Sequence, residues 1–205
     1  MSNHIELICG PMFAGKTTEL MRRIQRLVRG QKKCIVLKYA GDTRYTSDCK
    51  IMTHDQLGYD AIPIERLPDA FGISDVRDHE LNLILEEVEV IGIDEGQFFP
   101  SLTEFCSYWC STKGKTLIVS ALNLDYRGKA WPVTSEVSMN AESVTLLTSV
   151  CGGCGRQDAI HTGRRRRRCD EKWEVSEISN PIHVGGEDEY VALCRTCFHQ
   201  NSTLE

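Results

Sequence analysis

One segment near the N-terminus constrains the fold of this chain more than any other. Residues 10–17 read Gly10-Pro11-Met12-Phe13-Ala14-Gly15-Lys16-Thr17, which fits G-x-x-x-x-G-K-[S/T], the loop that wraps a nucleotide's phosphates. Residues 4–9 alternate and end apolar, as a strand does, and residues 17–29 carry apolar side chains at helical spacing, with Gly30 as the predicted helix end. This context favours a phosphate-binding loop over a chance glycine-rich turn, with Lys16 on the terminal phosphates and the Thr17 hydroxyl on Mg2+.

Length, charge and cysteine content limit the class of protein. A chain of 205 residues buries one sizeable core, with room for a small appended module. A formal net charge of -5 and the lack of a long apolar run argue against nucleic-acid or membrane binding, and residues 1–6 do not resemble a signal peptide. Beside an intracellular-type nucleotide loop, the ten cysteines favour free thiols and a metal site over disulfides. The predicted compartment is therefore reducing: the cytoplasm, with the nucleus as the alternative.

Beyond the loop, apolar strands alternate with amphipathic helices. This alternation predicts an α/β fold with a mainly parallel sheet and right-handed crossovers. Strands are predicted at 34–38, 61–64, 88–93 and 116–121, and helices at 74–87 and 101–113. Pro63 limits its strand to a sheet edge or end. The helix 74–87, with Ser74 as N-cap, should bury Val76, Leu81, Ile84 and Leu85. The helix 101–113 should bury Leu102, Phe105, Cys106 and Trp109.

Two acidic residues, Asp94 and Glu95, follow the apolar strand 88–93. An aspartate at the end of such a strand is the expected partner of a phosphate loop, because its carboxylate can hold Mg2+ or its waters. Glu95 is predicted to alternate to the other side of the strand and to face a different ligand. Exposed loop charges are the alternative, but the phosphate loop favours the functional interpretation.

Two loops after predicted strands carry further candidate side chains. The polar segment 39–60 contains Asp42 and Arg44. Sites of α/β sheets lie at such strand ends, although a solvated loop explains the segment equally well. The loop 122–133 carries Tyr126 and Trp131, for which stacking on a base and ordinary packing are equally good explanations.

From residue 151 onward, two Cys-x2-Cys pairs mark a change in composition. Their four thiolates match the tetrahedral pattern of structural zinc, with a redox dithiol or buried apolar cysteines as alternatives. The predicted ligands are Cys151, Cys154, Cys194 and Cys197. The long separation between the pairs predicts a loop borne on a hairpin. It contains the arginine run 164–168, which is predicted to be solvated, with nuclear import or polyanion binding as alternatives. Core positions are predicted for Cys9, Cys34, Cys106 and Cys110.

These segments together resemble the type II thymidine kinases. The resemblance covers residues 5–198 and rests on the loop 10–20, Lys38-Tyr39-Ala40, Asp42-Thr43-Arg44-Tyr45, Thr53-His54-Asp55, Ile91-Gly92-Ile93-Asp94-Glu95-Gly96-Gln97-Phe98-Phe99, Ala121-Leu122 and the cysteine pairs. It implies an ATP:thymidine phosphotransferase with a RecA-like α/β core at 1–148, a zinc-binding lasso domain at 149–200 and a tail at 201–205. It also implies a cytoplasmic homotetramer in nucleotide salvage that uses ATP, Mg2+ and Zn2+, accepts deoxyuridine as well as thymidine, and is inhibited by dTTP.

The resemblance assigns roles to single residues. Glu95 matches the catalytic base for the 5'-hydroxyl, and Lys16 and Arg44 act on the transferring phosphate. ATP and its metal are assigned to Gly10, Pro11, Met12, Phe13, Ala14, Gly15, Lys16, Thr17, Thr18, Asp42, Asp94 and Gln97. The nucleoside is assigned to Met12, Phe98, Leu122, Tyr126, Trp131, Ile182, Val184, Gly185, Gly186 and Tyr190. In the family a lasso loop reads thymine through backbone groups, and here it corresponds to 180–190.

The chain departs from the family pattern at two places. Tyr126 and Trp131 stand in a loop where many relatives have Phe, and the segment 163–181 is longer and more basic than expected. Two other functions compete: a nucleotide hydrolase that needs no nucleoside, and a nucleic-acid-binding module whose affinity falls steeply with salt. Asp94-Glu95 and the short lasso disfavour both. The phosphate loop is expected to lie on an α/β core separate from the zinc domain.

Overall fold

A computed structural model of the chain describes residues 3–41, 50–52, 58–68, 76–155, 158–164, 186 and 188–202. The predicted alternation of strands and helices is present within these ranges. In chain order the elements are β1 (Ile5–Gly10), α1 (Lys16–Arg29), β2 (Cys34–Tyr39), β3 (Lys50–Met52), β4 (Gly58–Asp60), β5 (Ile62–Ile64), α2 (Val76–Glu87), β6 (Val90–Asp94), α3 (Leu102–Ser107), β7 (Thr116–Leu122), α4 (Pro132–Asn140), β8 (Ser143–Leu146), β9 (Ser149–Val150), β10 (Asp158–Ala159), β11 (His161–Arg164), β12 (Tyr190–Leu193) and α5 (Arg195–Ser202).

Six of these strands form one parallel sheet in the order β5-β2-β6-β7-β1-β8. This confirms the α/β prediction. β5, which contains Pro63, lies at one edge as expected, since proline cannot donate a ladder hydrogen bond. The phosphate-loop strand β1 lies between β7 and β8, and β6 with its terminal Asp94 lies beyond β7. The carboxyl ends of the parallel strands therefore place the loop and Asp94 at the same edge.

Helices cover both faces of this sheet. On one face α1 packs Leu20, Met21 and Ile24 against apolar residues of the central strands, among them Ile8 and Ile118. On the other face α2, α3 and α4 contribute to the larger hydrophobic cluster. The sheet is buried between two helical layers, which explains why its strands are continuous apolar runs.

Within the described residues the helix predictions hold with three differences, while the predicted N-cap Ser74 and the side chain of Val76 lie outside the described part of the chain. α1 ends at Arg29 as predicted, but the left-handed turn that follows falls on Gln31 (φ 62°), while Gly30 has φ -80°. In α2, Leu85 is fully buried but Ile84 is 44% exposed, because only a narrow stripe of this helix reaches the sheet. α3 ends at Ser107 and continues as a π-helical turn, Tyr108–Thr112, and it buries all four predicted residues.

Several elements were not predicted, among them the helix α4 and the strand β8 at one edge of the main sheet. α4 begins at Pro132, inside the predicted loop 122–133, and proline is well suited to a first helical turn. β8 follows it and pairs in parallel with β1. Exposed Met139, Val144 and Leu146 obscured the pattern of both elements in the sequence.

A second, smaller hydrophobic cluster gathers residues of the C-terminal segment. It contains Cys151, Ala159, Val191, Ala192, Leu193, Cys194 and Phe198. β11 and β12 pair antiparallel, with Arg164 opposite Tyr190, so the chain between them is carried on a hairpin as predicted. Within the described residues, no helix is long and apolar enough to cross a membrane.

Candidate active site

The phosphate loop connects β1 to α1 through two glycines at positions that disfavour a larger residue. A Cβ on Gly10 would lie 2.5 Å from the Leu147 carbonyl oxygen. Gly15 stands at the start of α1 with φ 76°, a left-handed conformation that favours glycine. The Lys16 ammonium donates a hydrogen bond of 2.7 Å to the Pro11 carbonyl, which holds it over the loop. The loop and the first turn of α1 therefore have the form of an anion-binding helix N-terminus.

Asp94 and Thr17 come together as the sequence predicts. The Thr17 hydroxyl oxygen lies 3.2 Å from both carboxylate oxygens of Asp94, which is only 6% exposed at the end of β6. A hydroxyl and a carboxylate at a phosphate loop are the oxygen ligands that Mg2+ prefers. These two side chains therefore fit a magnesium ion.

Glu95 does not alternate across the strand as predicted. β6 ends at Asp94, and Glu95 takes a left-handed conformation (φ 56°) that starts a 3-10 turn, Gly96–Phe98. The Gln97 amide donates to the Glu95 carboxylate at 2.5 Å, and its oxygen accepts the Leu122 backbone N–H at 2.9 Å. Gln97 thus orients Glu95 against the end of β7. A non-glycine residue with positive φ at a strand end is often found at functional sites.

The predicted nucleoside residues fall into two groups. Met12, Tyr126 and Tyr190 form a buried cluster, with Leu122 and Phe13 packed beside them. Trp131 lies instead edge-on to Phe98, with ring centroids 6.0 Å apart, and Phe98 also contacts Tyr39.

Tyr126 and Trp131, the two aromatic residues of the predicted loop 122–133, both pack against other side chains. The guanidinium groups of Arg127 and Arg164 lie 5.6 and 5.7 Å from the Tyr126 ring centroid. Such distances are typical of cation–π contacts, which fix the ring in place.

Several predicted positions lie outside the described residues: Asp42, Arg44, Ile182, Val184 and Gly185. Of the predicted lasso, Gly186 and the residues 188–190 are described. The Gly186 carbonyl accepts the backbone N–H groups of Glu189 at 3.1 Å and Tyr190 at 3.0 Å. This tight turn leads directly into β12, so the described end of the lasso is fixed to the hairpin.

The four predicted zinc ligands converge. The sulfur atoms of Cys151, Cys154, Cys194 and Cys197 all lie within 4.8 Å of one another. Tetrahedral zinc with Zn–S bonds of about 2.3 Å needs sulfurs about 3.8 Å apart, close to the 4.0 Å between Cys154 and Cys194. Burial raises the pKa of the Cys151 thiol, but backbone N–H groups of Cys194, Cys154 and Gly153 point at its sulfur and lower the pKa to about 6. The donor set therefore fits a closed zinc site.

Three residues near the loop were missed by sequence reasoning. The Ser120 hydroxyl donates to Asp94 Oδ1, and Ser120 is 1% exposed. Lys38 is 6% exposed and is the register partner of Asp94 on β2. The Thr162 hydroxyl accepts the Met12 backbone N–H at 3.0 Å. A polar residue inside an otherwise apolar strand was the available signal for Ser120 and Lys38, whereas Thr162 carried none.

The phosphate loop is not independent of the zinc-binding segment, contrary to expectation. Besides the Met12–Thr162 bond, the Ser149 hydroxyl donates to the Phe13 carbonyl at 3.1 Å. Phe13 also packs against the small hydrophobic cluster of that segment. The physical reason is that Met12 and Phe13 belong to the loop itself and make these contacts with the C-terminal segment.

The arrangement combines a phosphate loop, a carboxylate pair at the end of a parallel strand, an apolar aromatic cluster and a cysteine cluster. A family model described as thymidine kinase matches residues 3–198. The chain belongs to the thymidine kinase family.

Relatives from animals, viruses and an amoeba support this membership. A protein named cytosolic thymidine kinase from Cricetulus griseus is 41% identical over 201 residues, which are 98% of this chain and 75% of the relative. A thymidine kinase of Raccoon poxvirus is 39% identical over 197 residues, 95% of this chain and 96% of the relative. Thymidine kinase 1 of Dictyostelium discoideum is 36% identical over 204 residues, 98% of this chain and 80% of the relative.

Proposed function

We propose that this thymidine kinase family member transfers the γ-phosphate of ATP to the 5'-hydroxyl of thymidine, giving dTMP and ADP, and that it accepts deoxyuridine. One observation carries the proposal. Glu95 follows directly after the Thr17-bonded Asp94 and is oriented by Gln97, so a proton acceptor stands beside the phosphate-binding elements. A nucleotide hydrolase needs only to orient water, whereas a kinase needs a base for the acceptor hydroxyl.

The phosphate loop supplies positioning and positive charge. Backbone N–H groups at the start of α1 would face the phosphates, and Lys16, which donates to the Pro11 carbonyl, would supply positive charge to the terminal phosphate oxygens. Thr17 and Asp94 would hold Mg2+, which when bound neutralises charge on the phosphates. Arg44 and Asp42 are proposed to contact the transferring group from the segment outside the described residues.

Glu95 is proposed to accept the proton of the 5'-hydroxyl. Its carboxylate is half-buried, and the amide of Gln97 fixes its direction. Because Gln97 also accepts from the Leu122 N–H, a movement at the end of β7 would misalign the base. General base catalysis of this kind contributes about 10²–10⁴-fold to rate.

The nucleoside is proposed to bind against the cluster of Met12, Tyr126 and Tyr190, with Leu122 at its margin. Phe98 and Trp131 would form the neighbouring wall. The lasso at 180–190 would donate backbone groups to the edge of the base, since hydrogen bonds to a base edge reject analogues better than shape does. Zinc bound by the four cysteines would fix the hairpin that carries this lasso.

Three further properties are proposed on family membership. The chain would assemble as a homotetramer, bind dTTP as a feedback inhibitor, and act in the cytoplasm in nucleotide salvage. The cytoplasmic location is supported by relatives whose names include the word cytosolic.

A nucleoside panel tests the proposed function. The purified chain with ATP and Mg2+ should phosphorylate thymidine and deoxyuridine, and it should release little ADP when no nucleoside is present. Fast ADP release without nucleoside, unaffected by thymidine, would instead identify a nucleotide hydrolase. Phosphorylation of a purine nucleoside in preference to thymidine would reject the assigned substrate.

A further inference from the structure

Ser120 carries a buried hydroxyl that has no role in the proposed mechanism. It lies in β7, whose residues 117–121 are all buried, and it is 1% exposed. A hydroxyl in such a place is costly unless it is hydrogen-bonded. Its hydroxyl donates to Oδ1 of Asp94 on the neighbouring strand β6.

The position of Ser120 in the sheet explains this contact. β6 and β7 pair in parallel with Ile93 opposite Val119, so one further step brings Asp94 beside Ser120. Ile118, two residues before Ser120, faces the cluster beneath α1, and alternation places Ser120 on the same face. The Ser120 hydroxyl therefore contacts Asp94 from within the sheet, on the face that α1 covers.

Asp94 thus accepts hydroxyl donors from two directions. Ser120 approaches Oδ1 from the sheet, and Thr17 lies 3.2 Å from both oxygens at the start of α1. A carboxylate offers about four lone-pair sites. Ser120 occupies one of these sites on Oδ1 and so restrains rotation of the carboxylate.

We propose that Ser120 is a positioning residue that orients the Asp94 carboxylate for the divalent cation of the bound nucleotide. The proposal rests on the proposed nucleotide site at Thr17 and Asp94. Ser120 touches neither substrate nor metal, and it acts only through Asp94. Partners that orient a metal ligand in this way change metal affinity by about 10- to 100-fold when they are removed.

A matched pair of variants isolates the hydroxyl. Ser120→Thr keeps it and Ser120→Val replaces it with a methyl group of nearly the same volume, so both variants fill the strand equally. Ser138→Ala is the control, because the Ser138 hydroxyl donates only to the Ser135 carbonyl of α4 in the described structure. Circular dichroism and thermal melting establish that each variant is folded.

The measurement is the binding of Mn2+ to the full chain with ADP, monitored through the paramagnetic signal of free Mn2+. Ser120→Val should weaken Mn2+ binding about 10- to 100-fold, while Ser120→Thr and Ser138→Ala should stay within about twofold of the parent. ADP affinity in EDTA should be equal in all four proteins, since the phosphate loop is intact. Equal Mn2+ affinity in the Thr and Val variants would overturn the proposal.

Two further outcomes separate this proposal from the proposed function. If the parent binds Mn2+ and ADP but phosphorylates no nucleoside, the proposed function fails and the test of Ser120 still stands. If excess Mn2+ restores turnover of Ser120→Val, the residue acts through metal binding as proposed. If turnover stays low when Mn2+ is saturating, Ser120 does something other than position the metal ligand.

Discussion

At the scale of single residues, the chemistry concentrates at two strand ends. Asp94 ends β6 and Glu95 turns away in a left-handed conformation, so two adjacent acids face different surroundings. The sequence predicted both acids and their separate roles. It could not predict the left-handed turn, because a positive φ at a non-glycine residue depends on the packing of the whole strand end. Ser120 was missed for a related reason, since its partner Asp94 lies on a neighbouring strand, and Lys38 adjoins Asp94 only through the register of β2 and β6.

The role of Glu95 as a base leads to a prediction about turnover. Glu95→Gln keeps the shape and can still contact Gln97, but it cannot accept a proton. Turnover of thymidine should therefore fall by about 10²–10⁴-fold, while ATP binding measured by calorimetry stays close to the parent value. Glu104→Gln, on the exposed side of α3, is the control and should be fully active. Undiminished turnover of Glu95→Gln would remove Glu95 from the mechanism.

At the scale of elements, long apolar or amphipathic segments were predictable and short or exposed ones were not. β1, α1, β6 and β7 matched their sequence patterns closely, because burial on both faces or on one stripe leaves a clear signal. α4 and β8 did not, since residues such as Met139 (86% exposed) break that signal. The pairing of β11 with β12 followed only from the spacing of the cysteines, because these strands are too short to read alone.

The end of α1 gives a prediction about stability. Gln31 holds a left-handed conformation (φ 62°) and donates its N–H to the Val28 carbonyl at 2.9 Å. A left-handed non-glycine residue costs about 1–2 kcal/mol, and glycine loses about 0.5–1 kcal/mol more in backbone entropy on folding. Gln31→Gly should therefore raise the free energy of unfolding by about 0.5–1 kcal/mol, as measured by urea denaturation. Gln31→Ala should bring no such gain, and a gain of equal size would locate the effect in the side chain instead.

The cysteine cluster gives a second prediction at this scale. Elemental analysis of the purified chain should find about one zinc per subunit. Cys194→Ser should lose most of it, because the substitution removes one of the four converging sulfur atoms, which also accepts the Cys197 backbone N–H. Cys34→Ser is the matched control, since Cys34 lies on β2 in the central sheet and outside the cluster. A full complement of zinc in Cys194→Ser would refute this ligand set.

At the scale of the whole molecule, the C-terminal segment that carries the hairpin β11–β12 and the α/β core meet at the phosphate loop. Thr162 and Ser149 bond to the backbone of Met12 and Phe13, and Tyr190 packs with Met12 and Tyr126. The sequence predicted two separate units, because a composition change marks each segment but says nothing about contacts between them. The docking places the hairpin with the cysteine cluster beside the proposed nucleoside pocket and the proposed nucleotide site.

This docking predicts how zinc removal affects the two ligands. Without zinc the hairpin loses its anchor, so Tyr190 and the lasso should no longer close the proposed thymidine pocket, and thymidine affinity should fall sharply. ATP affinity should fall much less, because Lys16, Thr17 and Asp94 are held by α1 and the central sheet. A modest loss for ATP is still expected, since Met12 and Phe13 lose their hairpin partners.

Calorimetry with each ligand, before and after chelation, measures this difference. Thr162→Val is the companion variant: it removes the hydroxyl that accepts the Met12 N–H while keeping zinc and volume. It should reproduce the small loss of ATP affinity without the large effect of chelation on the hairpin. Restoring zinc should restore thymidine binding. If chelation lowers both affinities equally, the metal supports the whole fold, and the assignment of the lasso to thymidine would lose its support.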